Sequence, residues 1–404
     1  MGAVTPHGLG CETLVEKLRA GQSGIRPIEC IDTTGMPVGY AGEVKDFDAE
    51  AQLRRPLPNT RDRALKMAYA AGAEALRQAG LVDENDTRVQ DDIGCVIGSG
   101  LGPCNEAEYA YGCFFTTGWK TMRPTTVPRV MFNSMASSLS IYFGLNGLSH
   151  VIASACASGG CAIGYGYQLI KHGASKAVLV GGTDSPLVPA SFAAWTNLRV
   201  LARHEDPTKA SRPFDRDRTG IVLSESAAML VLESESSARE RGATILGEVC
   251  GYGFSSDATH LTRPSLEGQV KAIRACLENG GLEPGEVDYI NAHGTGTRAN
   301  DETESVAIQS VFGSRGTDLP ISSSKSMLGH AMGASSALEA IVCLLTIRDG
   351  VVIPTVNCEN PEPDDIGLDF VPLASRRHNV RVAVSNSFGF GGGNCVLAFR
   401  KSGQ

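Results

Sequence analysis

Short, continuously apolar runs alternate along this chain with longer stretches of helical period. Ile93-Gly94-Cys95-Val96-Ile97, Val151-Ile152-Ala153, Val178-Leu179-Val180 and Val382-Ala383-Val384 carry no polar alternation, which predicts strands buried on both faces. Between them lie stretches closed by helix-ending glycines, such as Leu76-Arg77-Gln78-Ala79-Gly80-Leu81 and Lys171-His172-Gly173. Strands alternating with helices predict an α/β fold with a covered sheet.

The pattern occurs twice, about 200 residues apart. Leu76–Leu81 leads to the run at 93–97 and then Gly98-Ser99-Gly100. Leu277-Glu278-Asn279-Gly280-Gly281-Leu282 leads to Val287-Asp288-Tyr289-Ile290-Asn291-Ala292 and then Gly294-Thr295-Gly296. Gly159 and Gly160 open a small-residue helix closed by Gly173, as Gly333 opens one closed by Gly350. The expectation is a duplicated fold with pseudo-twofold halves, residues 1–242 carrying Cys156 and residues 243–404 carrying His293 and His330. Cys156 and His330 then occupy equivalent helix starts and meet at the pseudo-twofold axis.

The 404 residues, 42% hydrophobic and 20% charged, can build a large core. A net charge of −8 argues against a nucleic-acid or anionic-membrane partner. Twelve scattered cysteines without a C-x-x-C pair argue against a disulfide framework or zinc ribbon and for reduced thiols in a cytoplasm. No apolar run is long enough to span a bilayer, and no histidine pair has zinc-ligand spacing, so no metal is expected.

Cys156 sits in Ser154-Ala155-Cys156-Ala157-Ser158-Gly159-Gly160, at a strand-to-helix turn whose free N–H groups favour a thiolate. The helix terminus supplies only ~0.3–1 kcal/mol, whereas lowering a thiol from ~8.5 to ~7 needs ~2 kcal/mol, so a second activating group is required. His293 (Asn291-Ala292-His293-Gly294-Thr295-Gly296-Thr297) and His330 (Ser324-Lys325-Ser326-Met327-Leu328-Gly329-His330) occupy two further Gly-rich turns after predicted strands. A thiolate can hold an acyl group as a thioester, and two imidazoles can stabilise the enolate left when a β-carboxylate departs as CO2. A Lys325–Glu339 pair is expected to orient His330 and tune its charge. Gly98-Ser99-Gly100-Leu101-Gly102-Pro103 fails as a dinucleotide fingerprint because Pro103 replaces its last glycine. Ser322-Ser323-Ser324-Lys325 lacks the other signatures of a penicillin-recognising enzyme.

These residues resemble the β-ketoacyl-[acyl-carrier-protein] synthase family within the thiolase fold. Val4-Thr5-Pro6, Ala155-Cys156-Ala157-Ser158, the His293 and His330 segments and Ser385-Asn386-Ser387-Phe388-Gly389-Phe390-Gly391-Gly392 stand in the family's order over nearly the whole chain. The chain is most similar to the elongating type II branch, and Ala202 to Asp217 is similar to type II polyketide ketosynthase subunits.

The resemblance implies a five-layer α-β-α-β-α arrangement and decarboxylative condensation with malonyl-carrier protein, in fatty-acid or polyketide (including polyene) synthesis. Cys156 would take the acyl group, His293 and His330 would drive decarboxylation, and Lys325 and Glu339 would support them. The N–H groups of Cys156 and Phe390 would form the oxyanion hole. Thr295 and Thr297 would hold the pantetheine arm, with Phe388, Phe390, Leu101 and Thr126 at the substrate pocket. No cofactor is implied on the chain itself, since substrates arrive on carrier-protein phosphopantetheine. The implied partners are an acyl-carrier protein, with Arg61, Arg63, Lys66, Arg129 and Arg203 as its docking patch, and a dimer mate. That mate is an identical chain or a chain-length-factor-like subunit, joined through the strand at Leu148–Ala153. The family's first strand precedes Val-Thr-Pro, so here it is expected to be trimmed or absent, and Gly393 replaces a usual threonine in the gating loop. The alternative is a thiolase acting on acyl-coenzyme A, but that enzyme's second cysteine is absent from Phe388-Gly389-Phe390.

Overall fold

The computed structural model describes all residues except 54, 83–88, 90–91, 314–315, 317, 363–366 and 404. Its two main sheets repeat one topology. The first contains β1 (Gly2–Thr5), β2 (Ile93–Gly98), β3 (Ser149–Ile152), β4 (Ala177–Asp184) and β5 (Ser226–Glu233) in the order β1-β5-β4-β2-β3, with Gly8–Leu9 added outside β1. The second contains β6 (Glu248–Ser256), β7 (Tyr289–Asn291), β8 (Ile321–Ser322), β9 (Val382–Phe388) and β10 (Gly393–Arg400) in the order β6-β10-β9-β7-β8. Adding five to each strand number converts one order into the other. The directions match too: β2 runs parallel to β3 and β4 and β7 parallel to β8 and β9, while β4–β5 and β9–β10 are antiparallel.

Five layers result. Helix α1 (Arg63–Gln78), capped by Asp62 accepting from the Leu65 N–H at 3.0 Å, covers the outer face of the first sheet. Helices α2 (Cys104–Thr117) and α3 (Ser158–Lys171) follow in the chain, and α3 lies between the sheets beside α5 (Gly333–Asp349). Leu266–Gly280 and α4 (Arg298–Phe312) cover the second sheet. Up to Ile347 the sequence of α5 is apolar or small apart from Glu339, and its residues from Gly333 to Ile347 are buried, as a helix between two sheets must be. A Cβ on Gly98 would lie 2.3 Å from the Ser158 carbonyl carbon, so β2 and α3 meet backbone to backbone at the Cys156 turn.

One expectation changes here. The first strand is present, formed by Gly2–Thr5 themselves, with Gly2 opposite Met229 and Val4 opposite Ala227. A short buried segment fills this place because Ala3 and Val4 pack among core side chains. At the other end of the sheet, β3 is an edge strand whose Ser149 and His150 are exposed.

Candidate active site

Three turns bring Cys156, His293 and His330 together, with one donor atom of each within 4.8 Å of the others, all buried. Cys156 follows Ala155, which is held at φ +47°, a conformation costing an L-residue roughly 1–2 kcal/mol. The turn is fastened by Ser158, whose Oγ donates to the Ala155 carbonyl at 2.6 Å and accepts from the Ser154 N–H at 2.8 Å. His330 Nε2 lies 3.0 Å from Cys156 Sγ, and its Nδ1 lies 3.0 Å from Ser335 Oγ. The His293 and His330 rings are 5.4 Å apart and nearly perpendicular.

The electrostatics revise the thiolate expectation. Burial pushes the Cys156 thiol up to about 11, against the pull of Lys325 and the Phe390 N–H. Burial, reinforced by the Lys325 charge, holds both histidines well below 6.5, with His330 adding to the effect on His293. The resting site is a neutral thiol between two neutral imidazoles. His330 Nε2 is within hydrogen-bond reach of that thiol.

The expected Lys325–Glu339 pair forms, and the Lys325 charge bears on His330, but the remaining hydrogen bond of Lys325 goes to the other histidine's turn. Its Nζ pairs with Glu339 and donates to the His293 carbonyl at 2.7 Å, so it anchors the His293 turn. The polar atom facing His330 Nδ1 is Ser335 Oγ. Burial pushes Glu339 up to about 7 despite Lys325. The His293 turn has a second brace that sequence reading missed. The Glu304 carboxylate accepts from the His293 and Gly294 N–H groups at 2.8 Å each, and Asp301 accepts from Thr295 N at 3.0 Å and Gly296 N at 3.1 Å. Asp301 and Glu304 stand at i, i+3 on α4, one face of a helix with its N-terminus at this turn; that spacing was the available signal.

The pocket above Cys156 is lined by Thr295, Thr297, Phe388, Phe390 and Trp195. Thr295 and Thr297 hydroxyls are 2.9 Å apart, and Phe388 packs edge-on to His293. Phe390 stacks on Trp195 with centroids 5.9 Å apart. Its loop lies against the nucleophile: a Cβ on Gly389 would sit 3.3 Å from Cys156 N. Despite Gly393, the loop is tied by Gly389 N to Gly393 O, Gly391 N to Leu261 O and Asp257 N to Gly392 O, each 2.8 Å.

Leu101 is not on the pocket wall itself but packs in the cluster that includes the pocket-lining Trp195, Val200 and Ile221, its N–H held by Asp184 at 3.1 Å. Thr126 lines a separate small cavity with Glu106, Tyr109 and Arg129, because the helix Thr126–Val130 sits against α2 and away from Cys156. Arg63 is removed from the docking patch: its guanidinium is committed to the buried Glu225 carboxylate, with Nε 3.0 Å from Oε2. Arg129 bonds Glu106 at 3.3 Å and Thr125 Oγ1 at 3.1 Å. Arg61 lies 4.0 Å above the Tyr109 ring, joined there by Arg123, which the sequence reading did not select. Lys66 is half-buried on α1, and Arg203 is exposed beside Arg199 and Thr219.

A duplicated five-layer fold with a Cys–His–His centre where the halves meet defines a thiolase-like condensing enzyme, one that transfers an acyl group and forms a carbon–carbon bond. Family models for "Beta-ketoacyl synthase, N-terminal domain" and "Beta-ketoacyl synthase, C-terminal domain" match residues 1–238 and 246–359. The chain is 40% identical over 404 residues to a 3-oxoacyl-[acyl-carrier-protein] synthase 2 of Synechocystis sp., covering 99% of this chain and 96% of that one. It is 40% identical over 401 residues to nodulation protein E of Rhizobium sp., covering 99% and 98%. Among solved structures, the ishigamide ketosynthase/chain length factor matches with TM-score 0.90 at 36% identity, covering 100% of this chain and 98% of that one. A type II PKS ketosynthase in complex with its acyl-carrier protein, bound to the hexaketide, matches with TM-score 0.88 at 29% identity over the same shares. The chain belongs to the β-ketoacyl synthase family. No helix among the described residues is long and apolar enough to cross a membrane.

Proposed function

We propose that this chain condenses a Cys156-bound acyl group with a malonyl unit, both delivered on the phosphopantetheine of an acyl-carrier protein, in fatty-acid or polyketide synthesis. The observation that carries this reading is the 3.0 Å contact between Cys156 Sγ and His330 Nε2 with His293 at its side. Cys156 Sγ attacks the acyl thioester carbonyl as its proton passes to His330 Nε2. The N–H groups of Cys156 and Phe390 hold the tetrahedral oxyanion, and the departing pantetheine thiolate takes the proton from His330. Malonyl-carrier protein then enters, its pantetheine arm lying along Thr295 and Thr297. Its thioester oxygen accepts hydrogen bonds from His293 and His330, the carboxylate leaves as CO2, and the enolate carbon attacks the Cys156 thioester, releasing the thiolate. Two neutral imidazoles suit this step, since they donate without attracting the malonyl carboxylate away from the acyl group.

A thiolase reading is disfavoured. The remaining cysteine near the gate, Cys395, is buried in β10 and does not line the pocket, so no second thiol is placed as a base. Carrier-protein docking is assigned to the basic residues Arg61 and Arg123 around Tyr109, with Lys66 and Arg203 as outlying charges and Arg129 partly neutralised by Glu106. The edge strand β3, with the exposed Ile141 on the adjoining helix Ser134–Phe143, is the surface assigned to an identical or chain-length-factor-like partner. The deciding experiment incubates the chain, alone and with candidate partner subunits, with acyl-carrier proteins and malonyl-carrier protein. Intact mass should show an acyl adduct on Cys156, followed by a β-ketoacyl product. No adduct with any acyl-carrier protein would sink the reading.

A further inference from the structure

The two steps ask opposite things of His330. In acyl transfer its Nε2 must hold a lone pair toward the Cys156 thiol, which places the ring proton on Nδ1. In decarboxylation Nε2 must carry the proton to donate to the malonyl oxygen, which leaves Nδ1 bare. Whatever faces Nδ1 must therefore accept a hydrogen bond in one step and donate one in the other. A backbone N–H can only donate, and a carbonyl or carboxylate can only accept. The partner in this structure is a hydroxyl: Ser335 Oγ, 3.0 Å from Nδ1 and buried in the first turn of α5. Ser335 is held in place independently of the histidine, because its Oγ also accepts from the Ala331 N–H at 2.9 Å. A hydroxyl oxygen has room for two acceptor bonds as well as one donor bond.

We propose that Ser335 is a positioning residue that lets His330 hold either ring tautomer, so that one histidine serves as base in acyl transfer and as hydrogen-bond donor in decarboxylation. This rests on the condensation reading above. Without the hydroxyl the two tautomers cease to be equivalent. A proton on Nδ1 would be a buried donor with no acceptor, whereas a bare Nδ1 leaves only an acceptor unmet. Removal of Ser335 Oγ thus traps His330 as the Nε2–H form, which still donates to malonyl but no longer takes the Cys156 proton.

The test separates the half-reactions in Ser335→Ala. Acyl transfer to Cys156, followed by single-turnover intact mass, should slow about 10- to 100-fold, the size expected for one buried N–H left without an acceptor. Decarboxylation of malonyl-carrier protein, followed as CO2 release in a Cys156→Ala background, should stay within about twofold of the Ser335 parent. Equal losses in both half-reactions, or an unchanged acyl-transfer rate, would overturn the proposal. Should Ser335→Ala fold poorly, the Ser335→Thr and Ser335→Val pair gives the comparison at constant shape: Thr must retain acyl transfer and Val must lose it, and equal rates refute the role. Nitrogen-15 spectra of the imidazoles give a readout independent of condensation. Ser335→Ala should move the His330 signals to the Nε2–H pattern, and unmoved signals count against the proposal even where both half-reactions proceed. If the unsubstituted chain neither takes up acyl groups nor releases CO2, the condensation reading fails while the tautomer shift still decides the Ser335 contact.

Discussion

His330 Nε2 stands 3.0 Å from Cys156 Sγ, although 174 residues separate the two in the chain. With the thiol pushed up to about 11, the free thiolate at pH 7.5 amounts to roughly one part in three thousand. Reaction through that fraction alone would climb tenfold per pH unit. A neutral His330, held well below 6.5, is competent as a base throughout the range from pH 6.5 to 9, and general-base help is worth typically 10²–10⁴-fold. Alkylation of Cys156 by iodoacetamide should therefore change less than about tenfold between pH 7 and 9. In His330→Ala it should fall about 100-fold at pH 7.5 and regain the tenfold-per-unit slope. The same steep slope in the unsubstituted chain would exclude His330 as the base.

Lys325 and Glu339 are both buried, and Glu339 Oε2 has no hydrogen-bond partner among the described residues. Lys325→Met strands that carboxyl and should cost about 3–5 kcal/mol in urea unfolding, most of it recovered in Lys325→Met/Glu339→Gln. The sign of the pH dependence follows from the carboxyl being raised in the folded state, from 4.5 to about 7. Between those values the native chain binds more protons than the unfolded one, so this group's contribution to stability falls as pH rises. Subtracting the Glu339→Gln stability curve from that of the parent should leave a downward slope confined to pH 4.5–7. A flat difference would show that Glu339 titrates normally.

The Cys156, His293 and His330 cluster was legible in the sequence because each member lies in a glycine-rich turn after a predicted strand. The duplication, read from the paired helix ends, strands and glycine turns of the two halves, supplied the meeting of Cys156 with His330. Other features were hidden because local pattern does not carry them. Ser335 looks like any small residue in a buried helix, and its role depends on the turn that points His330 Nδ1 at it. Lys325 stands five residues before His330 and its charge bears on it, but no local pattern announces the His293 carbonyl that its Nζ meets at 2.7 Å. Arg63 read as surface charge because nothing near it in sequence announces the buried Glu225, 162 residues away.

Ile141 lies on the helix Ser134–Phe143, which packs beside the edge strand β3. Phe115, Trp119 and Ile141 are 80%, 71% and 72% exposed, large apolar side chains of the kind that mark an interaction surface where they are contiguous. Ultracentrifugation should find the chain dimeric, alone or with a chain-length-factor-like partner, and Phe115→Asp/Ile141→Asp should convert it to monomer with the circular dichroism of the parent. A monomer in the unsubstituted chain under every pairing would show that this face serves something else.

The chain has two tryptophans, and one of them, Trp195, stacks on Phe390 over the mouth of the Cys156 pocket at a tilt of 23°. The Phe390 N–H faces the Cys156 sulfur, so motion of that loop changes both the stack and the oxyanion donor. Trp119 is exposed and remote from this contact, so Trp119→Phe leaves a single fluorophore on the gate. Addition of acyl-carrier protein should then change Trp195 emission at the rate at which Cys156 is acylated, and Cys156→Ala should abolish the slow part of that change. Phe390→Ala removes the stacked ring while keeping the N–H. It should shift the resting emission and widen the mouth, and should leave acyl transfer within about tenfold because the oxyanion donor remains; loss of a donor itself costs about 10²–10³. Emission that does not respond to acylation in the single-tryptophan chain would mean that the loop stays closed on Trp195 while the acyl group enters by another route.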